Sequence, residues 1–309
     1  MQKCELLIDT DPGVDDALAI LMAHAYADVA GLSIASGNVG LAHTVANALK
    51  LVDTMGVDTP VFAGCPVPLI LPAGDAGFVH GADGFSDTGY LPCTRRAADE
   101  QAAAAIVRLA RERSGRLTLV ALAPLTNLAL ALRLDPQLPS RVARLVIMGG
   151  AVTGRGNTHR VPVEFNIGFD PAAAQVVFST WPAFDLVDWE ACQRHAIAFD
   201  GIVGSGDARA SFYAAISRKA RAFNQAQGRH GMIAADALAM AVALEPGIIR
   251  RAESHHVGIE LAGTLTRGAT VVDWQGHMGQ PANARIVLDV DQARFEAMVA
   301  RALGSPALA

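Results

Sequence analysis

A chain of 309 residues with 51% hydrophobic and only 6% aromatic residues can bury a large aliphatic core, which excludes disorder and allows one large α/β domain or two smaller ones. Its formal net charge of −5 leaves no basic footprint, so a small-molecule partner is expected, with no nucleic acid and no membrane. The first apolar run is too short for a signal peptide or a spanning helix, and the expected location is cytoplasmic.

In chain order, short apolar runs alternate with helical periods: 6–8 before 14–25, 31–35 before 42–55, 117–122 before 125–133, and 145–148 before 171–180. This alternation predicts an α/β fold, a mainly parallel central sheet with helices on both faces (Rossmann-like), with function gathered at the carboxyl ends of the strands. The irregular stretches 64–94 and 151–165 read as site-forming loops. A helical pattern occupies about 201–244, and β-like runs at 257–261, 270–273 and 285–290 close the chain. No repeat, low-complexity tract or polar linker divides it, so 1–309 reads as a single domain with a helical excursion. Cys4, Cys65, Cys93 and Cys192 are scattered with no CxxC, which argues against zinc and against a disulfide framework; buried or idle thiols are expected.

Asp9, Asp11, Asp15 and Asp16 fall within eight residues, where the first strand hands over to the first helix. Like charges this close raise one another's pKa, so a site that keeps several ionised calls for a hard divalent cation with oxygen ligands. A structural role competes: Asp11 before Pro12 makes a good helix N-cap, and Asp15 and Asp16 favour the helix dipole. Capping accounts for one or two of these carboxylates but not for a cluster that begins inside the strand. The chain therefore reads first as a metal-dependent enzyme.

The run Asp9 to Ala17 resembles the DxDPGxDDA hallmark of the inosine-uridine preferring nucleoside hydrolase family. The resemblance continues through Gly37-Asn38-Val39, His80-Gly-Ala-Asp-Gly84, Ala123-Pro-Leu-Thr-Asn127, Met148-Gly-Gly150, Glu164-Phe-Asn-Ile167 with Asp170-Pro171, and Asp236-Ala-Leu-Ala239, and takes in Thr266-Arg-Gly268 and Val271-Val-Asp273. It implies a nucleoside hydrolase fold and hydrolysis of the N-glycosidic bond of a ribonucleoside to free base and ribose, with calcium (Ca2+) at the pocket floor. By the same resemblance Asp11, Asp16, the Thr126 main-chain carbonyl and Asp236 bind the metal, and Asp11 is the general base. Asp15, Asn38, Met148, Glu164, Asn166 and Asp236 would hold the substrate, and relatives form homodimers or homotetramers.

Each residue alone has a plainer explanation: Asn38 beside Gly37 as a turn residue, Asn127 as a helix-start hydrogen bonder, Met148 as core packing. Their joint order is what raises Asn38, Glu164 and Asn166, and Asn127 is set aside. Many relatives carry a histidine just before the residue matching Asp236 that helps protonate the departing base, whereas this chain has Ala235. A positioned acid is worth about 10²–10⁴ in rate, so a replacement donor is expected: His80 first, with His230, Asn224 and Gln227 upstream of Asp236. His230 reads more readily as a surface residue, His255 and His256 at the start of a strand carry no assigned role, and Trp274 reads as packing. Two other functions compete: a nucleoside or ribose binder with little turnover, and a haloacid-dehalogenase-like phosphatase in which the first Asp of an Asp-x-Asp is the nucleophile.

Overall fold

A computed structural model describes residues 4–90, 94–202 and 208–304. Cys93 therefore lies outside the described residues, as do residues 203–207 of the expected helical excursion.

Eleven strands are formed among the described residues: β1 Glu5–Thr10, β2 Asp28–Ile34, β3 Val61–Ala63, β4 Leu117–Ala121, β5 Arg144–Met148, β6 Phe184–Val187, β7 Ile197–Ala198, β8 Gly231–Met232, β9 Ile249–Ile259, β10 Thr270–Asp273 and β11 Ala284–Val290. Nine of them build one sheet in the order β10-β9-β11-β6-β5-β4-β1-β2-β3, and β7 with β8 makes a separate short pair. The block from β3 to β6 and the β6–β11 pair are parallel, while β9 runs antiparallel to both β10 and β11. The mainly parallel sheet expected from the alternation is present.

Alternation along each buried strand sends side chains into two cores. Leu6 and Ile8 join the helices Val14–Tyr26, Ala235–Leu244 and Gln292–Ala302 on one face. Leu7 joins Ala102–Glu112, Thr126–Leu134 and Pro171–Thr180 on the other. Both faces are thus covered, which is why the central strands are apolar at nearly every position. The chain leaves β1 towards β2 and β3 on one side and returns to β4, β5 and β6 on the other. Where strand order reverses in this way, a crevice opens beyond the carboxyl ends of β1 and β4.

Some elements depart from the sequence pattern. The strand expected at 257–261 begins instead at Ile249, so His255 and His256 lie well inside it. Arg250, Arg251, Glu253 and Ser254 interrupt its apolar run because that stretch is largely exposed. β6 was not expected, since Asp185 sits in its middle, where it accepts from Arg144 Nε at 2.7 Å and Arg285 Nε at 2.5 Å. The helical excursion comprises Phe199–Ile202, Ala208–Ile216, Arg218–Ala226 and Ala235–Leu244, broken by β8. Cys4, Cys65 and Cys192 are free thiols, Cys192 being buried. Among the described residues no helix is long and apolar enough to cross a membrane.

Candidate active site

The turn that follows β1 is organised by one carboxylate. The helix begins at Val14 with Gly13 as its N-cap, so Asp11 does not cap it as the Asp-Pro pair had led one to expect. Asp16, in the first turn, instead folds back over the loop: Oδ1 accepts from Thr10 Oγ1 at 2.5 Å and from the Asp11 N–H at 3.2 Å, and Oδ2 from the Gly13 N–H at 3.0 Å and Asn38 Nδ2 at 2.9 Å. Proline at position 12 donates nothing, so the loop's available N–H groups converge on Asp16.

Asp11 is held from the next βα turn. The Asn38 N–H donates to its Oδ2 at 2.6 Å, while Asn38 Nδ2 also reaches the Asp11 carbonyl at 3.1 Å. A side chain at Gly37 would place its Cβ 2.1 Å from Asp11 Oδ2, so only glycine permits this approach. The other oxygen, Asp11 Oδ1, is buried with no hydrogen-bond partner. Beneath it Asp9 Oδ1 accepts from Ser33 Oγ at 2.5 Å and from Asn127 Nδ2 at 3.0 Å, and Asp9 Oδ2 is likewise orphaned.

Asp15 and Asp16 meet Asp236, from the first turn of Ala235–Leu244, with one carboxylate oxygen of each within 4.8 Å of the others. Burial pushes every one of these groups towards the neutral form. Asp9 and Asp15 rise to about 6, chiefly by desolvation. Asp11 and Asp236 lie well above the usual carboxylate range, through burial first and then through neighbouring aspartates, Asp16 for Asp11 and Asp15 for Asp236. Buried carboxylates that raise one another, together with an orphaned oxygen on Asp11, fit a hard cation that would neutralise them. Asp11 is not among the three carboxylates that meet. The Thr126 side chain is turned to Asp170, donating to Oδ2 at 2.7 Å.

Above this floor lies a cavity of about 320 Å³. Asp15, Asn38, His80, Met148, Glu164, Asn166 and Asp236 all line it, while Asp11, Asp16 and Thr126 are buried and do not. Glu164 caps the short helix Phe165–Phe169, accepting from the Asn166, Ile167 and Gly150 N–H groups, yet burial still raises it to about 7. Asn166 points its Nδ2 at the Leu122 carbonyl, 2.7 Å away, and at Met148 Sδ, 3.3 Å away. Met148 belongs to the core and to the cavity wall together.

His80 ends the helix Gly77–His80, where its Nδ1 accepts from the Val14 N–H at 3.1 Å. The ring proton is therefore on Nε2, and burial lowers the imidazole to about 4, so at neutral pH it is an uncharged donor. Asn224 and Gln227 line the cavity; His230 is exposed and does not. The sequence reasoning missed Phe78, Trp189, Phe223 and Arg229 on the same wall. Arg229 stands next to His230, so the signal was there: the segment upstream of Asp236 supplies the wall, but with a different residue. Asn127, set aside earlier as a helix-start residue, ties the Cys65 N–H, the Ile34 carbonyl, Ser33 and Asp9 together under the floor.

Comparison with known proteins gives one consistent result. The family profile described as inosine-uridine preferring nucleoside hydrolase matches residues 6–297. The chain is 33% identical over 306 residues to the non-specific ribonucleoside hydrolase RihC of Klebsiella pneumoniae, covering 97% of this chain and 98% of that protein. It is 32% identical to the pyrimidine-specific ribonucleoside hydrolase RihB of Escherichia coli, covering 97% and 96%. Among solved structures, an inosine-guanosine nucleoside hydrolase superposes with a TM-score of 0.91 at 31% identity, over 99% of this chain and all of that one. A plant nucleoside hydrolase, PpNRh1, gives 0.90 at 29% identity, over 98% of this chain and 100% of its own.

Proposed function

Since the chain belongs to the inosine-uridine preferring nucleoside hydrolase family, it is a ribonucleoside hydrolase, and we propose that it splits the N-glycosidic bond to free base and ribose with calcium as its metal. The family assignment sets aside the phosphatase. The observation that carries the reading is the meeting of Asp15, Asp16 and Asp236 within 4.8 Å beside a buried, unpartnered Asp11 oxygen, at the end of a cavity that Glu164 and Asn166 line.

In this reading Asp11, Asp16, Asp236 and the Thr126 main-chain carbonyl hold the cation, with Asp15 beside them. Calcium, when bound, supplies positive charge that acidifies a water and binds the ribose hydroxyls. Asp11 takes the proton of the attacking water; its Oδ2 is anchored by the Asn38 N–H, so Oδ1 is the oxygen left for the work. Asp15, Asn38, Glu164, Asn166 and Met148 hold the sugar, and Asp236 contacts it from the cation side. Positive charge growing at the anomeric carbon is stabilised by this carboxylate-rich floor. His80 gives the bound nucleoside a neutral Nε2–H, a hydrogen bond rather than a free proton.

We also read 1–309 as one domain, because helices from Phe199–Ile202 to Ala235–Leu244 contribute to the core that Leu6 and Ile8 occupy. The three free thiols are in keeping with the cytoplasm. A homodimer or homotetramer is in keeping with the edge strand β10, where Val271 and, just beyond the strand, Trp274 and Met278 are exposed; light scattering tests it.

Ribose release from purine, pyrimidine and p-nitrophenyl ribosides, before and after chelation and calcium restoration, tests the whole. Activity lost on chelation and regained with calcium is expected. Activity indifferent to exhaustive chelation overturns the metal assignment, and no turnover of any riboside overturns the hydrolase reading.

A further inference from the structure

Two consecutive residues that are not glycine, Ser86 and Asp87, hold left-handed backbone, with φ of 61° and 53°. Aspartate tolerates that region through local hydrogen bonds, and here the Asp87 N–H donates to Asp83 Oδ1 at 2.8 Å. Serine lacks that tolerance, so its surroundings must hold the turn. Ser86 is wholly buried, and its N–H, hydroxyl and carbonyl are all engaged. The N–H donates to the His80 carbonyl at 2.6 Å. The hydroxyl donates to the Ile216 carbonyl and accepts from the Lys219 N–H at 3.0 Å, while the Ser86 carbonyl accepts from Arg218 Nη2 at 3.4 Å. Lys219 is the second residue of the helix Arg218–Ala226, whose own N-cap residue, Ser217, makes no side-chain cap bond. Its N–H is one of those that a helix leaves open, so Ser86 caps this helix from a segment 133 positions away. Asp87 pairs with Lys219 Nζ on the exposed side of the same junction. On its other side the loop is tied to the floor, since Asn47 Nδ2 bridges the Pro12 carbonyl at 2.9 Å and the Asp83 carbonyl at 2.8 Å.

The Val14 N–H aims the His80 ring, but where that ring can sit is set by the backbone at position 80, which the Ser86 N–H holds on the loop side. If φ at position 86 turned negative, this N–H would swing away from the His80 carbonyl. The hydroxyl opposes that rotation, because both its partners belong to the 216–219 corner. Resting on the reading of His80 as hydrogen-bond donor to the bound nucleoside, we propose that Ser86 is a positioning residue: by capping the helix Arg218–Ala226 from outside, its hydroxyl holds the left-handed turn that fixes His80 for the departing base. The cation and sugar contacts come from other segments, so loss of the hydroxyl is felt where the leaving group needs help and hardly elsewhere.

The test compares kcat/KM for inosine, uridine and p-nitrophenyl riboside in the wild type, Ser86→Ala, Ser86→Gly and Ser86→Cys. Alanine removes the hydroxyl and keeps a Cβ that disfavours the turn, whereas glycine removes the hydroxyl and adopts the turn at no steric cost. Ser86→Ala is expected to lose at least about tenfold on inosine and uridine, as a misplaced donor costs that much or more. On p-nitrophenyl riboside, whose leaving group needs little help, it should lose no more than about threefold. Ser86→Gly is expected to stay within about threefold of wild type on all three substrates. Ser86→Cys, with the same shape and weaker hydrogen bonds, falls between the two and keeps the comparison with glycine if the alanine variant does not fold. Equal losses on all three substrates, a glycine variant no better than the cysteine or alanine one, or wild-type rates in Ser86→Ala each overturn the proposal. The ¹⁵N shifts of the His80 imidazole read the same placement without turnover. The Nε2-protonated tautomer is expected in wild type and Ser86→Gly and a mixture in Ser86→Ala, and one tautomer throughout overturns the proposal as well. A wild type that hydrolyses no riboside, with the tautomer still responding to alanine and not to glycine, supports the positioning and overturns the hydrolase reading alone.

Discussion

The floor of the cavity and its outer wall are built by different means. At the floor, between the ends of β1, β2 and β4, Asp16 alone takes four hydrogen bonds, and Asp11 and Asp9 are each gripped from neighbouring turns. On the wall, Arg229 has one side-chain hydrogen bond, and Phe78 and Phe223 meet by their ring edges on helices outside the sheet. A floor determined many times over fixes the chemistry, whereas a wall with few bonds is free to differ in what it recognises. Reaction and recognition are then carried by separable parts of one fold.

Breaking the floor has the largest expected consequence. Asp11→Asn keeps the shape but removes the base and a cation ligand, and kcat for every riboside should fall by at least about 10³, with circular dichroism unchanged; a loss under tenfold would take Asp11 out of the chemistry. Gly37→Ala forces a Cβ against the Asp11 carboxylate, and a displacement of about 1 Å is expected to cost about 10² in kcat. An unaltered kcat there would mean that the floor yields more readily than its hydrogen bonds imply.

A third measurement compares the floor with and without cation. Asp9 and Asp15 at about 6 and Glu164 at about 7 keep protons in the folded, cation-free protein that the unfolded chain releases at lower pH. The folded state then binds more protons between about pH 4 and 7, so stability falls as pH rises through that window. His80, lowered to about 4, acts with the opposite sign between about pH 4 and 6.5, one group against three. In chelator the melting temperature should drop from about pH 5 to about pH 7.5, and calcium should restore it. A rise with pH in chelator would show that these carboxylates are ionised without any cation. The smallest effect belongs to the wall's exterior: His230→Ala, on an exposed residue away from the cavity, should leave kcat/KM within about twofold, and a larger loss would bring His230 back as a proton donor.

Much of the floor was legible because its residues are contiguous. Asp9 to Asp16 span one strand end and one helix start, and that local grammar needs no tertiary knowledge. What the sequence did not disclose is which carboxylates meet. Asp-Pro reads as a cap, yet the helix begins at Val14, and that start turns Asp15 and Asp16 towards Asp236. The tautomer of His80 was equally hidden, since it depends on a backbone N–H 66 positions away. In the fold, the parallel strands with clean apolar runs were readable, whereas β6 was masked by a paired Asp185 and the first half of β9 by its exposed charges. Arg229 escaped notice because surface arginines are common.

The position of Gly13 has a consequence for how such a protein is able to change over generations. A Cβ there would lie 2.7 Å from His80 Nδ1 and 2.8 Å from Asn38 Nδ2, so residues 13, 38 and 80, from three separate segments, interlock. Any side chain at position 13 meets the other two, and mutational routes through this corner need coordinated steps. Along 218–227 no such wedge is present, whereas at Gly231 a Cβ would strike the Ile197 carbonyl. Diversification in which nucleoside is accepted therefore has an open route along that helix, while the corner beside the carboxylates stays closed to gradual drift.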